Sequence, residues 1–252
     1  MSLSFLKVIV FCLLASFISC KKKPTTENPP VDSLGNGLLA YYPFSGNTND
    51  QTGRNSTGAI NNATITADAS GKSNSAYSFN GTDSYIAFTP ADTLKKIQTI
   101  SISVKLFSEA SNGGNFIFGW TGDPNGTPKI RHSLFLPPLG SSPYCLFVLT
   151  DPTFCTSSGS TSASSVDNIT QNQWHTLTGV YNGNALKIYL DGVLKEQKPI
   201  TLPFVPSCTS DQVILLGRPN PNYHQSFKGK IDELRIYNRE LTQEEITRLA
   251  SL

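Results

Sequence analysis

The chain has 252 residues, and its 20 lysines and arginines stand against 18 acids for a formal net charge of +2. That balance leaves no basic footprint for nucleic acid, and the length allows one sizeable all-β domain behind a short leader. Charged residues are only 15% of the total while Asn, Gly, Ser and Thr abound, which suits a turn-rich extracytoplasmic β protein better than a helical one.

The leader, "MSLSFLKVIVFCLLASFISC", has one positive charge at Lys7 and an apolar run of eleven residues from Val8 to Ile18. That run is too short to span a bilayer, so residues 1–19 read as a secretory signal. The stretch resembles a bacterial lipoprotein signal, with Cys20 as the residue acylated after cleavage, although Phe17 stands where such signals usually carry Leu. Ordinary signal cleavage, leaving Cys20 a spare thiol, is the alternative. Acyl chains would anchor the protein at ~0.8 kcal/mol for each buried CH₂. Residues 20–36, rich in Pro, Asn and Thr and without an apolar period, form a flexible tether. Lys21, Lys22 and Lys23 can touch anionic headgroups there, though a charge run is more often merely solvated. The expectation is an exported, membrane-anchored lipoprotein, on the outer membrane, with its folded domain at 37–252. That domain carries 16 basic and 16 acidic residues and no net charge.

Strand signals then recur in chain order. "LLAYYPF" (38 to 44), "AYSFN" (76 to 80), "SYIAF" (84 to 88), "TISISVKLF" (99 to 107), "NFIFGW" (115 to 120) and "HSLFL" (132 to 136) are short, β-branched or aromatic, and bounded by turn residues. "CLFVL" (145 to 149), "WHTLTGVY" (174 to 181), "ALKIYL" (185 to 190), "VLKEQ" (193 to 197), "QVILLG" (212 to 217) and "KIDELRIY" (230 to 237) continue them. So many strands with turns between them imply an antiparallel sandwich or barrel. Asp191–Gly192 is a two-residue hairpin turn, since both central positions favour positive φ, and the next hairpin upstream turns at Asn182 and Gly183. Thr242 opens "TQEE", a capping box with Glu245 that begins a short C-terminal helix with Ile246 and Leu249 as its apolar stripe. The Ser- and Thr-rich segment at 153–168 reads as a loop insertion. Cys145, Cys155 and Cys208 permit one bridge with one thiol left over, and their spacing does not settle which.

"GLLAYYPFSGNTNDQTGRNSTG", "AYSFNGTDSYIAF", "QWHTLTGVYNGNALKIYLDGVL" and "FKGKIDELRIYNRELTQEEI" resemble, in order, four signature stretches of the laminin G-like, concanavalin A-like lectin/glucanase jellyroll domains. The resemblance implies an all-β fold of two antiparallel sheets, with the N- and C-terminal strands adjacent. It also implies a structural calcium ion held by Asp232, with Asp50, Asn47 and Gly46 supplying partner oxygens. The plainer alternative pairs Asp232 with Arg235 and leaves Asp50 in a turn. Fold alone does not give function, since this fold hosts lectins, adhesion modules and glucanases.

Catalysis finds little support in the residues. Neighbours along a strand point to opposite faces, so Asp232 and Glu233 are expected to diverge, and the Glu-x-Asp-x-x-Glu pattern of related glucanases is absent. No zinc motif is present, and His175, beside Trp174, suits strand packing. Sugar binding draws on aromatic platforms and loop-borne hydrogen-bonding groups. The candidates are Trp120, Asp123, Asn125, Arg131, Tyr144, Asn222, Tyr223 and His224, with packing inside the sandwich as the alternative for Trp120. The sequence thus points to a non-catalytic cell-envelope module that binds glycan, with a protein-binding or adhesion module as the alternative and a diverged hydrolase behind both.

Overall fold

From Ile100 to Ser108 the chain alternates: Ile102, Val104 and Leu106 enter the core, while Ser101, Ser103, Lys105 and Phe107 take the opposite face. The computed structural model describes residues 33–95, 99–109, 115–121, 130–136, 145–150, 160–164, 169–200, 213–218 and 226–252. Cys20, Cys155 and Cys208 lie outside the described residues.

The strands are β1 (Leu38–Tyr42), β2 (Ala59–Asn61), β3 (Thr64–Thr66), β4 (Ala76–Asn80), β5 (Tyr85–Phe88), β6 (Ile100–Ser108), β7 (Asn115–Thr121) and β8 (Ile130–Leu136). They continue as β9 (Leu146–Thr150), β10 (Ser160–Ser164), β11 (Trp174–Tyr181), β12 (Ala185–Leu190), β13 (Val193–Pro199), β14 (Val213–Leu216) and β15 (Lys228–Tyr237). Among the described residues, the helices α1 (Asp92–Lys95) and α2 (Gln243–Ser251) and a 3₁₀ turn at Ser33–Gly35 join these strands. Among the described residues no helix is long and apolar enough to cross a membrane.

The strands form two antiparallel sheets stacked as a sandwich. The first runs β13-β12-β11-β6-β15-β4-β3, with β1 also paired to β15, and the second runs β10-β9-β8-β7-β14-β5-β2. Tyr42, Phe79, Leu177, Leu186, Ile188, Ile231, Leu234 and Ile236 of the first sheet meet Ile86, Phe88, Phe118, Leu134, Phe147, Ile214 and Leu216 of the second. β1 beside β15 places the first and last strands together, as the jellyroll resemblance implies.

A second apolar cluster lies on the outer face of the first sheet. There α2 sets Ile246 and Leu249 against Val180, Tyr189 and Tyr237, joined by Leu34 and Leu241. The helix begins as expected: Glu245 N donates to Thr242 Oγ1 at 3.2 Å, and Thr242 N donates to Glu245 Oε2 at 2.9 Å. Arg239 grips both Glu245 oxygens at 2.7 Å and donates to the Ser33 and Asn36 carbonyls. The packed unit therefore takes in Ser33–Asn36, which the sequence assigns to the tether. The Asp191–Gly192 turn has positive φ at both positions, 50° and 79°.

Two expectations need correction. Ser160–Ser164, inside the segment read as an insertion, is a strand, paired from Ser160 opposite Thr150 to Ser164 opposite Leu146. Ala163 lies in the core opposite Phe147, so one small apolar residue suffices to seat an otherwise polar edge strand. Trp120 is not an exposed platform: β7 continues to Thr121, and the indole, with 0% exposure, lies in the core 6.4 Å from the ring of buried His132.

Candidate functional site

β15 carries its core residues at Ile231, Leu234 and Ile236, a step of three followed by a step of two. The longer step is a β-bulge. Asp232 stands opposite Lys105 and Arg235 opposite Ser103, so β15 advances three residues while β6 advances two. Glu233 is the extra residue, held at a left-handed φ of 54°.

The bulge reverses the expectation that Asp232 and Glu233 diverge. Tyr41 pairs across from Arg235, and its hydroxyl donates to Glu233 Oε1 at 3.1 Å. Arg235 Nη1 lies 2.5 Å from Glu233 Oε2, and the guanidinium stacks 4.1 Å from the centre of the Tyr41 ring. Both acids therefore take the outer face of the first sheet, because one inserted residue shifts the parity of every side chain beyond it. The spacing of Ile231, Leu234 and Ile236 is the signal of the bulge in the sequence.

The two carboxylates are held very differently. Glu233 is met by a cation and a phenol. Burial pushes the Tyr41 hydroxyl up to about 12, so it stays protonated as the donor. Asp232 is 5% exposed, and its one hydrogen bond is from Glu233 N to Oδ1 at 2.8 Å. No described residue donates to its Oδ2. Burial, followed by the charge of Glu233, pushes this carboxyl up to about 7, and Asp68 adds to the push while Lys105 opposes it. The arrangement offers a ligand one fixed, buried acceptor close to a clamped carboxylate.

Asp50 has the opposite character. Its Oδ1 accepts from Tyr41 N and Thr52 N, and its Oδ2 from Thr52 Oγ1, Arg54 N, Asn55 N and Asn55 Nδ2, all at 2.6–3.2 Å. Burial pushes the carboxyl up, but the hydrogen bonds outweigh it and hold it below the usual range. It is the hub of the turn that follows β1. Six N–H and O–H donors surround it where a cation would need oxygens. Asn47 is equally local, its Oδ1 accepting from Asn49 N at 2.9 Å, and Gly46 N donates to the Phe44 and Asn74 carbonyls. Asp232 answers to Glu233, Asp68 and Lys105 instead. Asp50 and Asn47 thus spend side-chain oxygens on their own turn, while Asp232 has a different set of neighbours. Asp232 does not pair with Arg235, whose partner is Glu233.

Of the residues expected to touch ligand, Trp120 is in the core, and Arg131 has its backbone on β8. Asp123, Asn125, Tyr144, Asn222, Tyr223 and His224 lie outside the described residues. His175 packs as expected for a strand-pinning group: Nδ1 lies 2.7 Å from Asp191 Oδ2 and Nε2 lies 3.1 Å from the Thr170 carbonyl. Asp191 Oδ1 also accepts from Thr176 N at 2.8 Å. The hydrogen bond to Asp191 raises the histidine above its ordinary value.

The family described as the concanavalin A-like lectin/glucanases superfamily matches residues 80–247. No curated protein sequence matches the chain. Among solved structures, the chain is similar to domain 4 of AbnA, a GH43 extracellular arabinanase from Geobacillus stearothermophilus, in complex with arabinotriose. The identity is 26%, the match covers 84% of this chain and 98% of that one, and the TM-score is 0.64. It is also similar to the botulinum neurotoxin serotype D ligand binding domain in complex with N-acetylneuraminic acid, at 13% identity and a TM-score of 0.61. That match covers 87% of this chain but spans only 52% of the toxin domain.

Proposed function

Because this chain belongs to the concanavalin A-like lectin/glucanases superfamily, we propose that it is a non-catalytic carbohydrate-binding module. The observation that carries the reading is Asp232, a buried side chain on an outer sheet face with one carboxylate oxygen that has no donor among the described residues. Burial of the side chain fixes the carboxylate in place and raises the cost of its charge, while this oxygen still reaches the surface. A ligand rich in hydroxyl donors can hydrogen-bond it there, which is the chemistry of a sugar. The likeness to an arabinanase domain seen with arabinotriose supports the same class of ligand.

Glu233 supports a binding role over a catalytic one. Tyr41 and Arg235 occupy both its oxygens, so it is a clamp for the bulge, and a nucleophile or general base needs a free oxygen. Incubation of the full chain on a glycan array and with soluble polysaccharides tests this. Retention of glycan without release of reducing ends is expected. Failure to retain any glycan overturns the glycan reading. Release of reducing ends that both Asp232→Asn and Glu233→Gln abolish overturns the non-catalytic one.

A further inference from the structure

Three neighbouring strands line up a distinct set of side chains next to Asp232. Trp174 on β11 stands opposite Phe107 on β6, which stands opposite Lys230 on β15. One rung further along are Thr176, Lys105 and Asp232. Since Leu106, Leu177 and Ile231 take the core, both rungs face outward. Trp174 and Phe107 are partly exposed, with ring centroids 5.8 Å apart at an interplanar angle of 59°, and Lys230 Nζ lies 4.8 Å from the Phe107 ring centre. Lys105 Nζ donates to the Leu252 carbonyl, so α2 and its C-terminal residue border the strip on one side.

The composition of this strip is that of a small polar-aromatic site. Partly exposed rings can cover the C–H face of a sugar, and acceptors and donors at their border can read its hydroxyls. Asp232 is the acceptor, more than nine-tenths buried and short of a donor. Lys230 and Lys105 are the donors. The charges around it also offset one another: Lys105, Lys230 and Arg235 stand against Asp68, Asp232 and Glu233. With cations and acids balanced, an anionic sugar gains no net attraction to offset the desolvation of its carboxylate, whereas a neutral one has no charge to desolvate.

We propose that the strip formed by Trp174, Phe107, Lys230 and Asp232 is a subsite for a neutral saccharide, its ring lying on the aromatic pair and a hydroxyl donating to Asp232 Oδ2. The assignment rests on the glycan-binding reading above, and it places recognition on a sheet face, away from the loops where the sequence looked for it.

Calorimetric titration of the full chain with arabinotriose, with the neutral trisaccharides retained on the array, and with N-acetylneuraminic acid tests it. Trp174→Ala and Asp232→Asn are each expected to weaken neutral-sugar binding by about tenfold or more. Asp232→Asn is the control for folding, because it keeps the shape of the side chain and removes a buried charge; its melting temperature should hold or rise. Neutral-sugar binding unchanged in both folded variants overturns the subsite and leaves the glycan reading intact. Tighter binding of N-acetylneuraminic acid than of every neutral sugar overturns the ligand class. No binding of any glycan overturns the glycan reading itself.

Discussion

Glu245 and Asp232 are buried to nearly the same degree, 6% and 5% exposed, both on the outer side of the same sheet, yet their carboxyls are pushed in opposite directions. Arg239 and the Thr242 amide draw Glu245 down to about 2, against the effect of burial. Burial and the charge of Glu233 drive Asp232 up to about 7. Burial alone therefore does not decide the state of a carboxylate; the donors aimed at it do. At the α2 end of the face the chain supplies every donor and closes the sheet with apolar side chains. At the bulge end it supplies one N–H and leaves an oxygen over. The first end serves stability, and the second holds a cost that a ligand can relieve.

The largest expected effect breaks the closed end. Ile246 is fully buried beneath α2 with Val180, Tyr189 and Tyr237. Ile246→Ala should cost about 2–5 kcal/mol in urea unfolding, the range for emptying a packed aliphatic site. If that cost is absent, α2 does not close the sheet. Glycan binding, measured where the variant is still folded, should persist, because the bulge end depends on Ile246 only through the position of the helix.

Much of this contrast could be read from the sequence, and the part that could not has a specific cause. Three strands bounded by turn residues, β4, β11 and β12, match their expected bounds, and the Thr242 capping box is found as written. Those signals are local. The missing strands, β2, β3 and β10, are only three to five residues long, too short for a periodicity to mark them. Trp120 looked like a strand end because the polar run after it resembled a loop, but the strand extends by one more residue and its parity turns the ring inward. The role of Asp50 as hub of its turn rests on six donors that converge only in the folded chain, and no letter in the sequence marks them. The bulge was legible in the spacing of Ile231, Leu234 and Ile236. Without it, adjacent acids were assigned to opposite faces.

Exchanging each acid for its amide sharpens the comparison, with opposite signs. Glu245 has a folded pKa below its unfolded one, so its contribution is present above about pH 4.5 and is lost only as pH falls through about 2. Glu245→Gln should therefore cost on the order of 2–3 kcal/mol at neutral pH. Asp232 has a folded pKa above its unfolded one. The folded protein then binds the proton more tightly, and stability falls as pH rises from about 4 to about 7. Asp232→Asn should gain on the order of 2 kcal/mol at pH 8, gain little at pH 4, and flatten the slope between them. Urea midpoints of both variants at the two pH values measure this. A loss of stability in Asp232→Asn at pH 8 would show that the carboxylate is structurally satisfied, and the contrast between the two ends would fail.

The smallest effect concerns how the bulge end holds its aromatic ledge. His175 follows Trp174 directly, and its imidazole ties the start of β11 to Asp191 and to the Thr170 carbonyl. The hydrogen bond to Asp191 raises the folded pKa of His175 above 6.5, so its contribution is complete below about pH 6.5 and is lost as pH rises through the folded value. Asp191 is pushed up by burial, but the hydrogen bonds from His175 and Thr176 N hold it below 3.8, and its contribution disappears only as acid titrates it through that lower value. The tie is thus at full strength between about pH 4 and pH 6.5. Asp191 is 49% exposed, which limits the effect to about 1 kcal/mol or less. Amide hydrogen exchange should quicken at His175 and Thr176 between pH 6 and pH 8.5, after correction for the intrinsic rate, while the amides of Val180 and Tyr181 near α2 keep their protection. In His175→Asn the difference between the two pH values should vanish. Equal loosening along all of β11 would mean that the histidine supports the whole strand, and that Trp174 is not positioned separately from the closed end.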